Sequence, residues 1–277
     1  MHSNASDGQL PPEALPELCA QNGVKLMSLT DHDTMAGTKA AEAAAKRLGI
    51  AFIPGIEFST LWGGTGIHVV GLGLDSESPG IAGFVAGTQM KRVERGRAMD
   101  ENFARVGIHG ALEGALRYAE NSTSLSRTHF ALWLLEKGHV KNYQEAFDKY
   151  LKPGRPGYAR VEWPATVDAV RFIREEGGVA VLAHPGRYEF SADWMSDQLL
   201  EDFKAAGGEA IEVTSGSQSR ATDIIFAQKA REMGFLASTG SDWHSPRSAR
   251  PSPGMQPALP KDLTPVWVKF GYPRDMD

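Results

Sequence analysis

Residues 25–34 read KLMSLTDHDT, an apolar run that ends at Thr30 and is followed at once by Asp31, His32 and Asp33. The same pattern recurs along the chain. IAFIPGI (50–56) leads into Glu57, GVAVLA (178–183) into His184, and FLASTGS (235–241) into Asp242 and His244, while His68 sits inside GIHVVGLGL (66–74). Short length, β-branched content and flanking glycines mark these runs as buried strands. EAIEVTSGS (209–217) reads as a further strand. Side chains able to bind metal therefore gather at strand C-terminal ends.

The segments between the runs have helical length and helical punctuation. TKAAEAAAKRLG (38–49) is alanine-rich, carries Lys46 and Arg47 in its last turn, and stops at Gly49. Cations meet the carbonyl end of the helix dipole there, and glycine tolerates the left-handed stop. PPEALPELCAQNG (11–23), ATVDAVRFIREEGG (165–178), ADWMSDQLLEDFKAAGG (192–208) and SRATDIIFAQKAREMG (219–234) follow the same scheme. Alternating strands and helices predict a parallel α/β fold. A closed βα barrel brings every strand C-terminus to one face, whereas an open doubly wound sheet gathers only groups near its switch point, so the spread of candidates favours the barrel.

From about Pro79 to Tyr158 the alternation fails. GIAGFVAGTQMKRVERGRAMDENFARVG (80–107) has the length of one long helix, and shorter helical stretches follow around 111–119, 128–137 and 143–151. The predicted organisation is a barrel in two parts, residues 1–78 and 159–277, with an inserted helical subdomain over 79–158 that covers the barrel mouth. The tail PSPGMQPALPKDLTPVW (251–267) reads as a surface-wrapping loop.

The clusters His2 and Asp7 in MHSNASDG, His32 in LTDHDT, Glu57, His68, His184 in LAHPGRY, and Asp242 with His244 in TGSDWHS make a mixed imidazole and carboxylate set. Such sets suit divalent ions of intermediate hardness such as manganese, iron or zinc, and eight ligands exceed what one ion takes. In this order the clusters resemble the PHP (polymerase and histidinol phosphatase) superfamily. SRTHF (126–130), YLKPGRPGY (150–158), AHPGRY (183–188) and GSDWH (240–244) resemble its TrpH-like branch of nucleotide phosphatases and 5′-to-3′ exoribonucleases.

That resemblance implies a distorted (β/α)7 barrel holding two to three divalent ions, manganese first among them. It implies His2, Glu57 and Asp242 at one ion, Glu57, His68 and His184 at a second, and Asp7, His32 and His244 at a third. The family's first histidine falls two residues before the one matched by His2, so the first barrel strand is largely missing at the N-terminus. The expectation is a start placed downstream of the natural one, with a naturally shortened protein as the alternative. The missing strand leaves unpaired backbone on its two neighbours.

Several cations in one cavity lower the pKa of bound water toward neutrality and neutralise phosphoryl oxygens, so phosphate ester hydrolysis by a metal-activated hydroxide is the implied chemistry. Glu57 and Asp242 orient the nucleophile, and His184 or His244 assists proton transfer. Arg127, His129 and Arg187 are the substrate-binding candidates, because a guanidinium forks onto phosphate oxygens and a helix N-terminus adds donors. Asp31 is a candidate to fix a ligand tautomer. Trp62 and Trp243, beside ligand positions, are candidates for the pocket border, and Glu212 for its wall.

The expected substrates are a 3′,5′-bisphosphorylated nucleotide or a short RNA 5′ end. The formal net charge of −5 opposes stable binding of duplex nucleic acid, which depends on neutralising backbone phosphates. No apolar stretch reaches the roughly 20 residues needed to span a bilayer, and the N-terminus has no secretory core, so a cytoplasmic protein is expected. Cys19 is the only cysteine, which excludes an internal disulfide. Two rivals stand beside this reading: an amidohydrolase acting on C–N bonds, which commonly carries a bridging carbamylated lysine with no counterpart here, and an impaired metal or nucleotide-binding relic.

Overall fold

A computed structural model describes residues 1–246 and 250–276. Its strands, in chain order, are β1 (Leu26–Met27), β2 (Ala51–Phe52), β3 (Gly55–Trp62), β4 (Thr65–Leu72), β5 (Val179–Leu182), β6 (Ala210–Ser215) and β7 (Leu236–Gly240). β1 and β2 pair in parallel, and β3 to β7 form a second sheet in sequential order. A single bridge from His32 to Glu57 joins the two sheets.

The sheet is mixed, which corrects the expectation of purely parallel pairing. β4 runs antiparallel to both β3 and β5, while β5, β6 and β7 are mutually parallel. The cause is local and was visible in the sequence. Gly63 and Gly64 both have positive φ, at 55° and 82°, and a two-residue loop of that kind closes a tight hairpin between Trp62 and Thr65. Because β4 is the one reversed strand, His68 reaches the ligand-bearing rim from mid-strand, paired with Ser59 and one residue from the level of Leu182.

Helices α1 (Leu15–Gln21), α2 (Thr38–Arg47), α7 (Thr166–Glu175), α8 (Trp194–Ala205) and α9 (Arg220–Met233) flank the strands. The apolar faces of α7, α8 and α9, with the inward residues of the five-stranded sheet, build the principal core around Phe58, Ile67, Val69, Val181, Phe203 and Ile211, while α1 and α2 pack in smaller clusters with Leu29, Trp243 and Met27. Burial of such side chains contributes about 1.5–3 kcal/mol each. Leu259, Leu263, Val266 and Trp267 of the tail enter this same core, and Ala237 N–H donates to the Thr264 carbonyl. The tail is thus an integral edge of the fold rather than a surface wrap.

Residues 79–151 contain helices α3 (Pro79–Arg105), α4 (Ala111–Leu116), α5 (Arg127–Glu136) and α6 (Tyr143–Ala146), and no strand among them. Ser78 caps α3 by accepting from the Gly80 and Ile81 amides. These helices own a separate apolar cluster that includes Met99, Phe103, Phe130, Trp133 and Leu151.

At the N-terminus Met1 to Ser3 thread between two strand lines: Thr30 N–H donates to the Met1 carbonyl and His2 N–H donates to the Trp243 carbonyl. No strand precedes β1 among the described residues. Beneath Met1 lies a cavity of about 140 Å³ lined by residues of β1 and of β4 to β7, among them Leu26, Val70, Val181, Glu212 and Ser238.

Candidate metal centre

Glu57, on β3, is buried at 3 % exposure and four imidazoles converge on its carboxylate. His68 Nδ1 and His184 Nε2 lie 2.8 and 2.9 Å from its Oε1, while His2 Nε2 and His32 Nδ1 lie 3.0 and 3.7 Å from Oε2. His2 Nε2 is also 3.3 Å from Asp242 Oδ1, and His244 Nε2 is 3.3 Å from Asp7 Oδ1. All eight predicted ligands therefore meet in one place, although the chain separates them by up to 242 positions.

Their donor atoms fall into overlapping groups. His2, Glu57 and Asp242 form one, His32, Glu57 and His68 a second, and His2, Asp7, His32 and His244 a third. His2, His32 and Glu57 are each shared by two groups, and His32 stands with Glu57 and His68 where His184 was expected, although His184 Nε2 remains 2.9 Å from Glu57 Oε1.

Local backbone geometry aims these groups. The three non-glycine residues with positive φ among those described are Asp33, His184 and Asp242, at 49°, 30° and 46°. Each such residue costs on the order of 1–3 kcal/mol and persists only where the surroundings over-determine it. The surroundings are explicit. Glu212 accepts the His184 amide at 2.7 Å, and the Tyr188 hydroxyl donates to the Ala183 carbonyl while accepting the His68 amide, both at 2.9 Å. Gly240 is required beside Glu212, because a Cβ there would lie 2.2 Å from Glu212 Oε1.

Asp31 does not fix a ligand ring. Its carboxylate accepts the Ser3 amide and the Ser3 and Ser6 hydroxyls, and so shapes the loop that carries His2 and Asp7. Trp243 is 3 % exposed and packs with Leu15, Leu29 and Ala41, so it is core and not pocket border. Trp62 bonds Asp202 of α8 and packs edge-on to Phe190.

Of the substrate-binding candidates, Arg187 Nη1 lies 2.7 Å from Asp242 Oδ2, at the centre itself. Arg127 is half-buried on the first turn of α5, where its guanidinium faces the Phe147 ring and the Leu151 carbonyl. His129 differs. It is 2 % exposed and its Nδ1 accepts the Ser126 amide, so the ring is committed to the start of its own helix. Burial takes it down to about 4, so it is a neutral hydrogen-bonding post.

Sequence reasoning missed Arg250, whose guanidinium bonds the Asp242 carboxylate at 2.8 Å, the Asp242 carbonyl, and His244 Nδ1. No motif marks it. It also missed Arg92 and Arg95 of α3, which face the Trp163 ring at 5.5 and 5.4 Å.

The electrostatics fit cations. Burial opposes ionisation of Glu57, yet His32 and His68 hold it well below the usual carboxylate range, and His244 and His32 do the same for Asp7. Burial alone would lower His2, but its bonds to Asp242 and Glu57 raise it to about 9. Arg187 and Arg250 offset part of the carboxylate charge at Asp242, and the proton held on His2 is one that a divalent ion would displace. Asp7 Oδ1 and His32 Nδ1 are buried, point into the cluster and have no hydrogen-bond partner, as unfilled coordination positions would.

The PHP domain family model matches residues 1–155. This chain belongs to the PHP family. It is 42% identical over 266 residues to a 3′,5′-nucleoside bisphosphate phosphatase from Chromobacterium violaceum, covering 96% of this chain and 93% of that protein. It is 38% identical over 280 residues to a 5′-3′ exoribonuclease from Escherichia coli K12, covering 99% and 93%. A solved Chromobacterium violaceum structure, described as an amidohydrolase with bound sulfate and no metal, superposes with a TM-score of 0.92 at 41% identity, covering 98% of this chain and 94% of the other.

Proposed function

We propose that this PHP protein is a metal-dependent phosphoesterase that removes phosphate from nucleotides, either as a 3′,5′-bisphosphonucleotide 3′-phosphatase or by stepwise cleavage of short RNA from its 5′ end. The observation that carries this reading is the Glu57 carboxylate ringed by His2, His32, His68 and His184 beside Asp242. The names of the Chromobacterium violaceum and Escherichia coli relatives support the same chemistry.

In this reading His2, Asp7, His32, Glu57, His68, His184, Asp242 and His244 hold two or three divalent ions, with manganese proposed ahead of iron and zinc. Such ions, when bound, polarise phosphoryl oxygens and supply hydroxide at neutral pH. Arg187 sits at Asp242 with its side chain 38% exposed, so one edge of its guanidinium is available to fork onto a phosphoryl oxygen. Arg127, on the α5 N-terminus, offers a second cation for another phosphate of the same nucleotide. His184 or His244 can assist proton transfer only when released as a ligand.

We propose further that the strands form a distorted seven-membered barrel. The bridge from His32 to Glu57 and the bonds of Met1 and His2 to Thr30 and Trp243 support closure at both gaps between the two sheets. The helical region over 79–158 then acts as a cap on the barrel mouth, and the lone buried Cys19 suits a reducing cytoplasm.

The rival amidohydrolase reading has in its favour the description of the solved neighbour. Against it stand the names of the relatives, a 3′,5′-nucleoside bisphosphate phosphatase and a 5′-3′ exoribonuclease, both of which cleave phosphate esters. The test is phosphate release from a nucleoside 3′,5′-bisphosphate with added manganese, run beside amide substrates. Metal-dependent phosphate release, lost in Asp242→Asn, is expected. Amide hydrolysis without phosphate release would overturn the proposal.

A further inference from the structure

The first turn of α5 does more than present Arg127. Thr128 Oγ1 donates to Asp7 Oδ2 at 2.9 Å, across 121 residues, and accepts from the Tyr143 hydroxyl at 3.2 Å. The neighbouring His129 ring caps its own helix through the Ser126 amide. One helical turn therefore carries both Arg127 and the hydroxyl that holds the Asp7 carboxylate. Asp7 divides its two oxygens accordingly: Oδ2 is taken by Thr128, and Oδ1, without a hydrogen-bond partner, faces His244 Nε2.

Resting on the metal reading above, we propose that Thr128, backed by Tyr143, is a positioning residue of the helical region that orients Asp7 toward the ion shared with His32 and His244. A carboxylate left free to rotate about its last torsion presents either oxygen in many directions. One fixed hydrogen bond selects the orientation in which Oδ1 completes the ligand set. Outer partners of this kind change metal affinity by about 10–100-fold. Since the loop at Ser3–Gly8 is also held by Asp31 from the strand side, the Asp7 carboxylate is gripped by the helical region while its backbone is gripped by the sheet. The corresponding ion site is then complete only when α5 is docked, and the group built on Asp242 shares only His2 with it.

The test is calorimetric titration of manganese into metal-stripped full-length protein, comparing wild type with Thr128→Val, Thr128→Ser and Tyr143→Phe, with thermal melting of each metal-free form. Thr128→Val keeps the shape and removes the hydroxyl. It is expected to weaken one class of manganese site by about 10–100-fold and leave the rest unchanged. Thr128→Ser is expected to restore wild-type binding, and Tyr143→Phe to give a smaller loss in the same class. Thr128→Val binding every ion with wild-type affinity would overturn the proposal while leaving the metal centre intact. A uniform loss across all classes, not rescued by serine, would assign Thr128 a merely structural role and overturn it as well. Wild type that takes up fewer than two manganese ions would overturn the metal reading, and this proposal with it.

Discussion

His2 shows how one residue ties charge to metal occupancy. Its ring, raised to about 9 by Asp242 and Glu57 against the opposing effect of burial, stays protonated in the metal-free fold at neutral pH. The folded value lies above the ordinary 6.5, so this contribution to stability is complete below pH 6.5 and is lost as pH rises through about 9. Metal binding needs the neutral ring and must displace that proton. Manganese affinity at the site shared by His2, Glu57 and Asp242 is therefore expected to tighten between pH 6.5 and 9, and His2→Gln should flatten that part of the profile; a pH-independent affinity in wild type would refute the linkage. Glu57 is the more sensitive position because four imidazoles share its two oxygens. Glu57→Gln is expected to lower manganese content and to cut phosphate release by at least about 100-fold, measured by elemental analysis and initial rates.

Among the elements, α3 is fastened to the sheet by a buried ion pair. Arg92, 4 % exposed, gives Asp33 Oδ2 bonds from Nε and Nη2 at 2.8 and 2.5 Å and gives Ser59 Oγ another at 2.9 Å. Removing one partner strands a charge in the interior, a loss of about 3–5 kcal/mol. Asp33→Ala should accordingly lower the unfolding free energy from denaturant titration by that amount, and Asp33→Ala with Arg92→Leu should recover part of it. The helical region has its own weak point at Gly114, where a Cβ would stand 2.0 Å from Trp133 Nε1. Overpacking of this kind costs about 1–3 kcal/mol, so Gly114→Ala should be less stable by thermal melting, and unchanged melting would show that Trp133 can move.

For the molecule as a whole, ions that bind only the folded chain must stabilise it. At one hundred times their dissociation constant the gain is about 2.7 kcal/mol per site. Chelation with EDTA is expected to lower the melting temperature and manganese to restore it, and a chelator-insensitive transition would deny the centre a structural share. The cavity of about 140 Å³ under Met1 leaves the strand residues that line it less closely packed than the rest of the core, so early hydrogen exchange is expected in 26–30 and 238–241.

The eight residues that converge on Glu57 and Asp7, the runs of strand and helix, and the helical interruption after Ser78 were legible in the order of residue types. These depend on local periodicity and on short motifs whose chemistry is carried by the residues themselves. The reversal of β4 was also written locally, in Gly63 and Gly64, though the reading by apolar runs passed over it. What only tertiary structure decided is how groups far apart in the chain meet: the Glu57 carboxylate shared among His2, His32, His68 and His184, the engagement of Arg250 with Asp242 and His244, the retirement of His129 to a buried post, and the reach of Thr128 to Asp7. Those contacts depend on backbone direction at His184 and Asp242 and on the docking of α5. Many distant residues set such features jointly, so no stretch of sequence contains them alone.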